Sequence, residues 1–391
     1  MLKTIKIKKI IFFLFVATYI IRSITDGLFV VNDINNFMVS SKYITMFLAI
    51  IFFFMLKRGK LKLSKSCFGN EMKRMLFLVI SFFVISLLFA IIEQNITINT
   101  FTILIKMILG IFFAFIILNT LDIDEIYNAM KIILIFAIIG YIIEIGIENF
   151  NIENIALINY AKSYSPFESS YFAGIALSTC AFFSYFRKEK KWLILSILFT
   201  ICTFKRLSIL FAIVLLFLPW FINIDGKIDK KYIVLISVLF VFFTIGYYWI
   251  LQENNENLFY DIFNETQTQF TMTRSDRLHE LINENFQSYG LGSAANELGL
   301  ELIEMDLIEI YMELTIVGLI LFCLTYWSMT SGQIYCCIFM AYQFFNFLTS
   351  HSIGGNFSWT INFIIIGSIL YKNVKEYKGR RPKFLNIIKM R

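Results

Sequence analysis

The feature that most limits how this chain can fold is a succession of unbroken apolar runs. Each is close to the length of a bilayer-crossing helix, and only three prolines occur in 391 residues. A run without polar alternation cannot be a strand of a membrane β-barrel, whose residues face lipid and lumen in turn. A surface helix of a soluble domain is excluded too, because it keeps one polar face. What remains is a helix that closes its backbone hydrogen bonds within itself and turns its side chains to lipid. Twelve such segments are expected, near 9–22, 43–56, 75–92, 101–119, 130–147, 170–186, 192–204, 207–224, 232–250, 308–327, 331–349 and 358–372. Several are shorter than the roughly 20 residues of a straight crossing, which flanking polar residues or local bilayer thinning can absorb. A charged share of 16%, against about 25% in soluble domains, excludes a soluble or disordered chain. The expected fold is therefore all-α: a polytopic integral membrane helical bundle of about 12 transmembrane helices. It forms a single membrane domain over 1–391 with one large outward loop at about 251–306.

Charge sets the orientation, because inner segments of membrane proteins collect Lys and Arg. With the amino terminus inside and the segments alternating, the inner side holds 27 of the 35 Lys and Arg but only 8 of the 28 acids. The net charge of +7 is thus a topology signal, and no nucleic-acid partner is expected. Both termini fall on the cytoplasmic side of a cytoplasmic membrane. Lys3, Lys6, Lys8 and Lys9 precede the first apolar run without a small-residue cleavage pattern, which predicts a retained first span. The same parity argument divides the run from Trp192 to Ile224 into two short helices with Lys205-Arg206 at a tight outward turn. All five tryptophans fall near predicted span ends, where an indole prefers to lie. The six cysteines, mostly inside apolar runs, read as small packing residues; no disulfide framework, metal site or cofactor is expected.

Ionisable residues in spans are costly and mark function. Here Arg22, Lys106, Glu144, Lys205, Arg206, Glu309 and Glu313 all fall in the outer halves of their helices, which suggests a polar cavity opening outward. Arg22 and Lys42 are expected to reach the interface; Lys106 and Glu144 either pair with each other or line that cavity. Arg206 beside Lys205 wants an anionic partner. The large loop holds eleven acids against Arg274 and Arg277, which share one face of an expected short amphipathic helix opening at Thr273 and Asp276 as a capping box. Guanidinium groups there could grip phosphate or neutralise neighbouring acids. Gly290 and Gly292 suit the end of that helix or a phosphate loop. Asp306, Glu309 and Glu313 stand at i, i+3 and i+7 on the next span, where a carboxylate could serve as general base. His279 and His351 read as solvated, and Asp122-Ile123-Asp124 as part of an inner loop.

Four stretches in this order resemble the O-antigen polymerase and ligase families. Phe167-Glu168-Ser169-Ser170-Tyr171-Phe172-Ala173 is similar to their F-x-E-P-S-x-x-A, and Thr203-Phe204-Lys205-Arg206 to their T-x-S-R turn. Arg277 followed by Gly290-Leu291-Gly292 resembles a loop arginine and G-x-G. Glu313-Leu314-Thr315-Ile316-Val317-Gly318-Leu319 resembles E-x-G-I-x-G-L. Ser169 stands for the usual proline, Lys205 for serine and Thr315 for the first glycine. Glu304-Met305-Asp306 stands where ligases carry a histidine-asparagine pair, which favours the polymerase. The resemblance implies a glycosyltransferase of surface polysaccharide (lipopolysaccharide) biosynthesis in the bacterial inner membrane. It would move an undecaprenyl-diphosphate-linked glycan onto a second lipid-linked repeat unit. The residues expected to act are Arg206 with Arg274 or Arg277 on the diphosphate, Asp306 or Glu168 as base, and Lys205, Gly290, Gly292 and Glu313 in substrate binding. Partners would be the lipid-linked glycans, membrane lipid and a candidate chain-length regulator protein. The alternatives are an O-antigen ligase and a lipid-linked oligosaccharide flippase or transporter.

Overall fold

The computed structural model describes residues 2–31, 36–57, 63, 66–158, 165–167, 169–299 and 301–372. Each of the twelve apolar segments lies on a helix. In chain order these are α1 (Leu2–Val31), α2 (Asn36–Lys57), α3 (Gly69–Ile92), α4 (Ile98–Thr120) and α5 (Ile123–Ile145). After a short α6 (Ile152–Ala156) come α7 (Ser170–Phe186), α8 (Lys190–Cys202), α9 (Arg206–Phe221) and α10 (Lys230–Ile250). Four short helices follow, α11 (Glu256–Phe263), α12 (Gln267–Thr271), α13 (Arg274–Asn283) and α14 (Ser293–Glu297). The chain closes with α15 (Asp306–Met329), α16 (Ile334–Thr349) and α17 (Asn356–Leu370). No strand forms among the described residues. Six of the helices, α2, α3, α4, α5, α10 and α15, are long and apolar enough to cross a membrane, and α7, α9, α16 and α17 are shorter apolar helices. The molecule is a helical membrane protein.

Exposure follows lipid rather than water. On α3, Phe77, Ile80, Val84 and Leu88 form an exposed apolar stripe at helical spacing, while Met75, Leu78, Phe82 and Ser86 are buried on the other face. Only a hydrocarbon solvent accepts such a stripe at no cost. Inside, small residues and buried hydroxyls do the packing. A Cβ on Gly27 would come within 2.4 Å of the Gly140 carbonyl, and one on Gly140 within 2.3 Å of the Ser23 carbonyl. These two glycines let α1 and α5 cross with their backbones nearly touching. Ser178 Oγ of α7 meets Asn362 Oδ1 of α17 at 2.8 Å, a cross-helix bond in the core.

Three sequence expectations change here. Trp327 and Trp359 are not at an interface but buried among Phe344, Phe347 and Tyr326. Their ring area is worth more in the aromatic core than at the bilayer edge. Arg22 and Lys42 are not simply extended toward an interface: both pair with Asp26, at 2.5 and 3.3 Å, and Lys42 is only 2% exposed. Asp26, four residues beyond Arg22 on α1, supplies the charge that lets two cations stay inside. Lys106 and Glu144 do not pair. Lys106 acts on His351, whereas Glu144 lies by Ser169 and the Arg22–Asp26 pair.

Residues 251–305 form a small folded cap joining α10 to α15. They have their own core of Phe259, Leu278, Leu281, Leu298, Ile303 and Met305, continued by Ile308 of α15. The expected helix after Thr273 exists as α13 and buries Leu278 and Leu281. Thr273 does not cap it by a side-chain bond, because its backbone is left-handed (φ 66°); the Asp276 carboxylate instead accepts from the Thr268 hydroxyl at 2.6 Å.

Candidate functional site

Two constellations form from the residues that the sequence singles out, and both lie at the end of the bundle that carries the cap. The first joins the chain entering α7 to the α8–α9 turn. Phe204 adopts a left-handed backbone (φ 48°), which folds the turn back tightly enough for α9 to start at Arg206 with Lys205 at its N-cap. The Phe204 ring packs on Phe167 at 5.0 Å between centroids. The buried Tyr141 hydroxyl of α5 lies 2.9 Å from the Phe167 carbonyl and 2.8 Å from that of Cys202, bridging the two segments. The N-cap residue Lys205 makes no side-chain cap to α9, and two cations stand at its first turn, Lys205 half-buried and Arg206 exposed. A helix start plus cationic side chains makes an anion-binding end. Below the turn, Tyr141, Ile138, Phe150, Leu195, Leu198 and Phe199 line an apolar groove of about 260 Å³ between α5 and α8. Tyr141→Phe should destabilise the detergent-purified protein by about 1 kcal/mol, as two carbonyls lose their donor. A thermal melt unchanged from wild type would remove the bridge from the argument. Glu168, expected as a base, lies outside the described residues.

The second constellation is the acidic face of α15. Asp306, Glu309 and Glu313 are all buried, at 0%, 4% and 0% exposure. Glu313 accepts from the amides of Gly292 at 2.7 Å and Ala294 at 2.8 Å. The Gly290–Gly292 turn is thus brought onto Glu313, and its amides hold that carboxylate. The glycines do not end α13, which stops at Asn283. They thread the turn between α3 and α4. A Cβ at Gly290 would stand 2.7 Å from Ser86 Cβ, and one at Gly292 2.7 Å from Asn99 Cβ. Both carry positive φ, +118° and +84°.

Thr315 explains why this turn is needed. Its φ of 59° and ψ of −174° break α15. The break frees the Glu313 carbonyl, and Ser288 Oγ donates to it at 2.6 Å. That backbone region is essentially restricted to glycine. Thr315→Gly should raise stability by about 1–3 kcal/mol, read as a higher melting temperature in detergent. A lower one would mean that the Thr315 side chain earns its place by contacts.

At the start of α15, Asp306 Oδ2 accepts from the backbone amides of Ser352 at 2.6 Å and Ile353 at 2.8 Å, while Oδ1 lies 2.7 Å from His351 Nδ1. His351, read from sequence as solvated, is therefore part of a buried cluster. Burial lowers the affinity of its ring for a proton, but the charges of Asp306 and then Glu309 outweigh that against Lys106, leaving its pKa raised to about 9. Nothing in the sequence order signals this partnership, because 45 residues and α16 separate the two groups.

Arg274 and Arg277 stand apart from both constellations. Arg274 Nε and Nη2 each lie 2.9 Å from Glu304 Oε2. Arg277 Nε lies 3.1 Å from Glu301 Oε2, and its Nη1 donates to the Leu302 carbonyl at 2.6 Å. Both arginines fasten α13 to the strap that leads into Asp306. The Asp122-Ile123-Asp124 stretch is structural as well. Asp122 closes a capping box with Glu125, and Asp124 pairs with Lys188.

No family model matches the chain, and neither a curated protein nor a solved structure matches it.

Proposed function

We propose that this chain is a surface polysaccharide polymerase. It would transfer an undecaprenyl-diphosphate-linked glycan onto a lipid-linked repeat unit at the outer face of a bacterial cytoplasmic membrane. The observation that carries the reading is the α8–α9 turn. There a helix start carrying Lys205 and Arg206 meets an apolar groove, which together complement the charged head and apolar tail of a prenyl diphosphate. The topology proposed with it has twelve crossings, both termini inside and the cap 251–305 outside. In that arrangement the turn, the cap and the head of α15 share the outer side, and Lys and Arg collect on the inner one.

Diphosphate is the leaving group, and negative charge grows on it as the glycosidic bond breaks. Preorganised cations and amides lower the barrier where that charge develops. Arg206 can hold two oxygens in one fork, which Lys205 cannot. Arg274 and Arg277 hold the strap in place, and Asp306 or Glu168 takes the proton of the acceptor hydroxyl. Of the stretches that resemble the O-antigen polymerase and ligase families, two meet at the α8–α9 turn and the Gly290–Gly292 and Glu313 stretches meet on α15, which supports the reading.

The test is a gel of surface polysaccharide from cells with the gene intact or deleted. Loss of the ladder down to a single capped repeat unit is the expected result. Disappearance of every sugar-bearing band, with lipid-linked polymer accumulating, would make the protein a ligase. An unchanged ladder would reject both.

A further inference from the structure

The acid face of α15 leaves Glu309 unexplained. Asp306 has the Ser352 and Ile353 amides and His351, and Glu313 has the Gly292 and Ala294 amides. Glu309 lies between them, 4% exposed, and its Oε2 is buried with no hydrogen-bond partner. A buried carboxylate oxygen without a partner is costly as an anion and calls either for a proton or for a cation. Lys106 contributes positive charge at His351, yet among the described residues it makes no ion pair with Glu309 or Asp306. Asp306 Oδ1 and His351 Nδ1, 2.7 Å apart, are likewise buried without a hydrogen-bond partner, so three ligand-type atoms at this place lack one among the described residues.

The geometry points to a divalent-cation site formed by Asp306, Glu309 and His351. One ligand atom from each of the three residues can be chosen so that all lie within 4.8 Å of one another. One imidazole nitrogen and two carboxylate oxygens suit zinc or manganese, with zinc held more tightly. The Ser352 and Ile353 amides already fix the outer oxygen of Asp306, which is what a metal-ligating carboxylate needs from its surroundings. Two ligands stand one helical turn apart on α15 and the third comes from the α16–α17 loop, so the cation would pin that loop to the head of α15. Binding is read without any glycan, so it stands or falls separately from the transferase reading. If both hold, a cation at this site would stabilise the acceptor alkoxide.

The experiment uses the full chain, purified in detergent with its tag removed and stripped with a chelator. It is dialysed against Zn²⁺ or Mn²⁺, with Mg²⁺ for comparison, and bound metal is measured by mass spectrometry. About one equivalent of zinc and a zinc-dependent rise in melting temperature are expected. Glu309→Gln and His351→Gln should each weaken binding about 10–100-fold, while His279→Gln, at the cap histidine, should not. Substoichiometric zinc in the wild type at saturating metal, with no melting shift, would overturn the site. Full binding retained by the folded Glu309→Gln, His351→Gln double variant would overturn it too. Should that double variant fail to fold, the wild-type stoichiometry and melting shift decide.

Discussion

Glu313→Ala is expected to lower the stability of the purified protein by about 3–5 kcal/mol, a shift of roughly 4–6 °C in melting temperature. The substitution removes the acceptor of two short bonds, from Gly292 and Ala294, in a place that water does not reach. Each buried amide left unpaired costs about 1–3 kcal/mol. The damage should spread, because the same turn supplies Ser288, which satisfies the carbonyl freed by the break at Thr315. Glu313→Gln keeps one acceptor oxygen but turns an NH₂ toward the second amide, so a loss of about half that size is expected. Proteolysis in the Gly290–Gly292 turn should become faster in the Ala variant, since the turn loses its anchor on α15. If Glu313→Ala melts with the wild type, the carboxylate does not hold the turn, and its place on the acid face must be explained by substrate.

Arg206→Ala is expected to reduce polymer formation by about 100-fold or more with little change in stability. The two readouts separate a functional cation from a structural one. Arg206 is exposed at the first position of α9, where the helix dipole disfavours a positive charge, so its removal should move stability by no more than about 1 kcal/mol. Arg206→Lys should recover only part of the activity, because an ammonium cannot form the two-oxygen fork. The assay is polymer made by membranes supplied with lipid-linked repeat units, beside a melting curve of each purified variant. Wild-type polymer length and rate in Arg206→Ala would end the clamp. Equal losses of activity and stability would make Arg206 a folding residue. By contrast, Arg274→Ala and Arg277→Ala should affect stability first, since both guanidinium groups are engaged with Glu301 and Glu304.

The helices were legible because a bilayer helix is specified locally. A long apolar run needs no distant partner to satisfy its backbone, so position and length follow from the run itself. The break between α8 and α9 at Thr203–Lys205 could be found the same way, from charge parity. The site was legible only in its members. Asp306, Glu309 and Glu313 share a face because the helix period puts them there. Gly290 and Gly292 marked a turn, but not the Ser86 and Asn99 backbones that it passes between. His351 was misread as solvated, because a lone histidine after an apolar run carries no mark of what will cover it.

Sequence by itself therefore determined the helical membrane class of the chain and the place of its long apolar helices. Both depend on periodicities and sums along the chain. Only the tertiary structure decided which charges are already answered. Arg274 and Arg277 are spent on Glu301 and Glu304, Lys42 and Arg22 on Asp26, and Glu313 on two amides, while Glu309 keeps a buried oxygen without a partner. Pairing is a property of distance in three dimensions, and in a low-dielectric interior a difference of a few ångströms separates a neutralised ion from an unmet one.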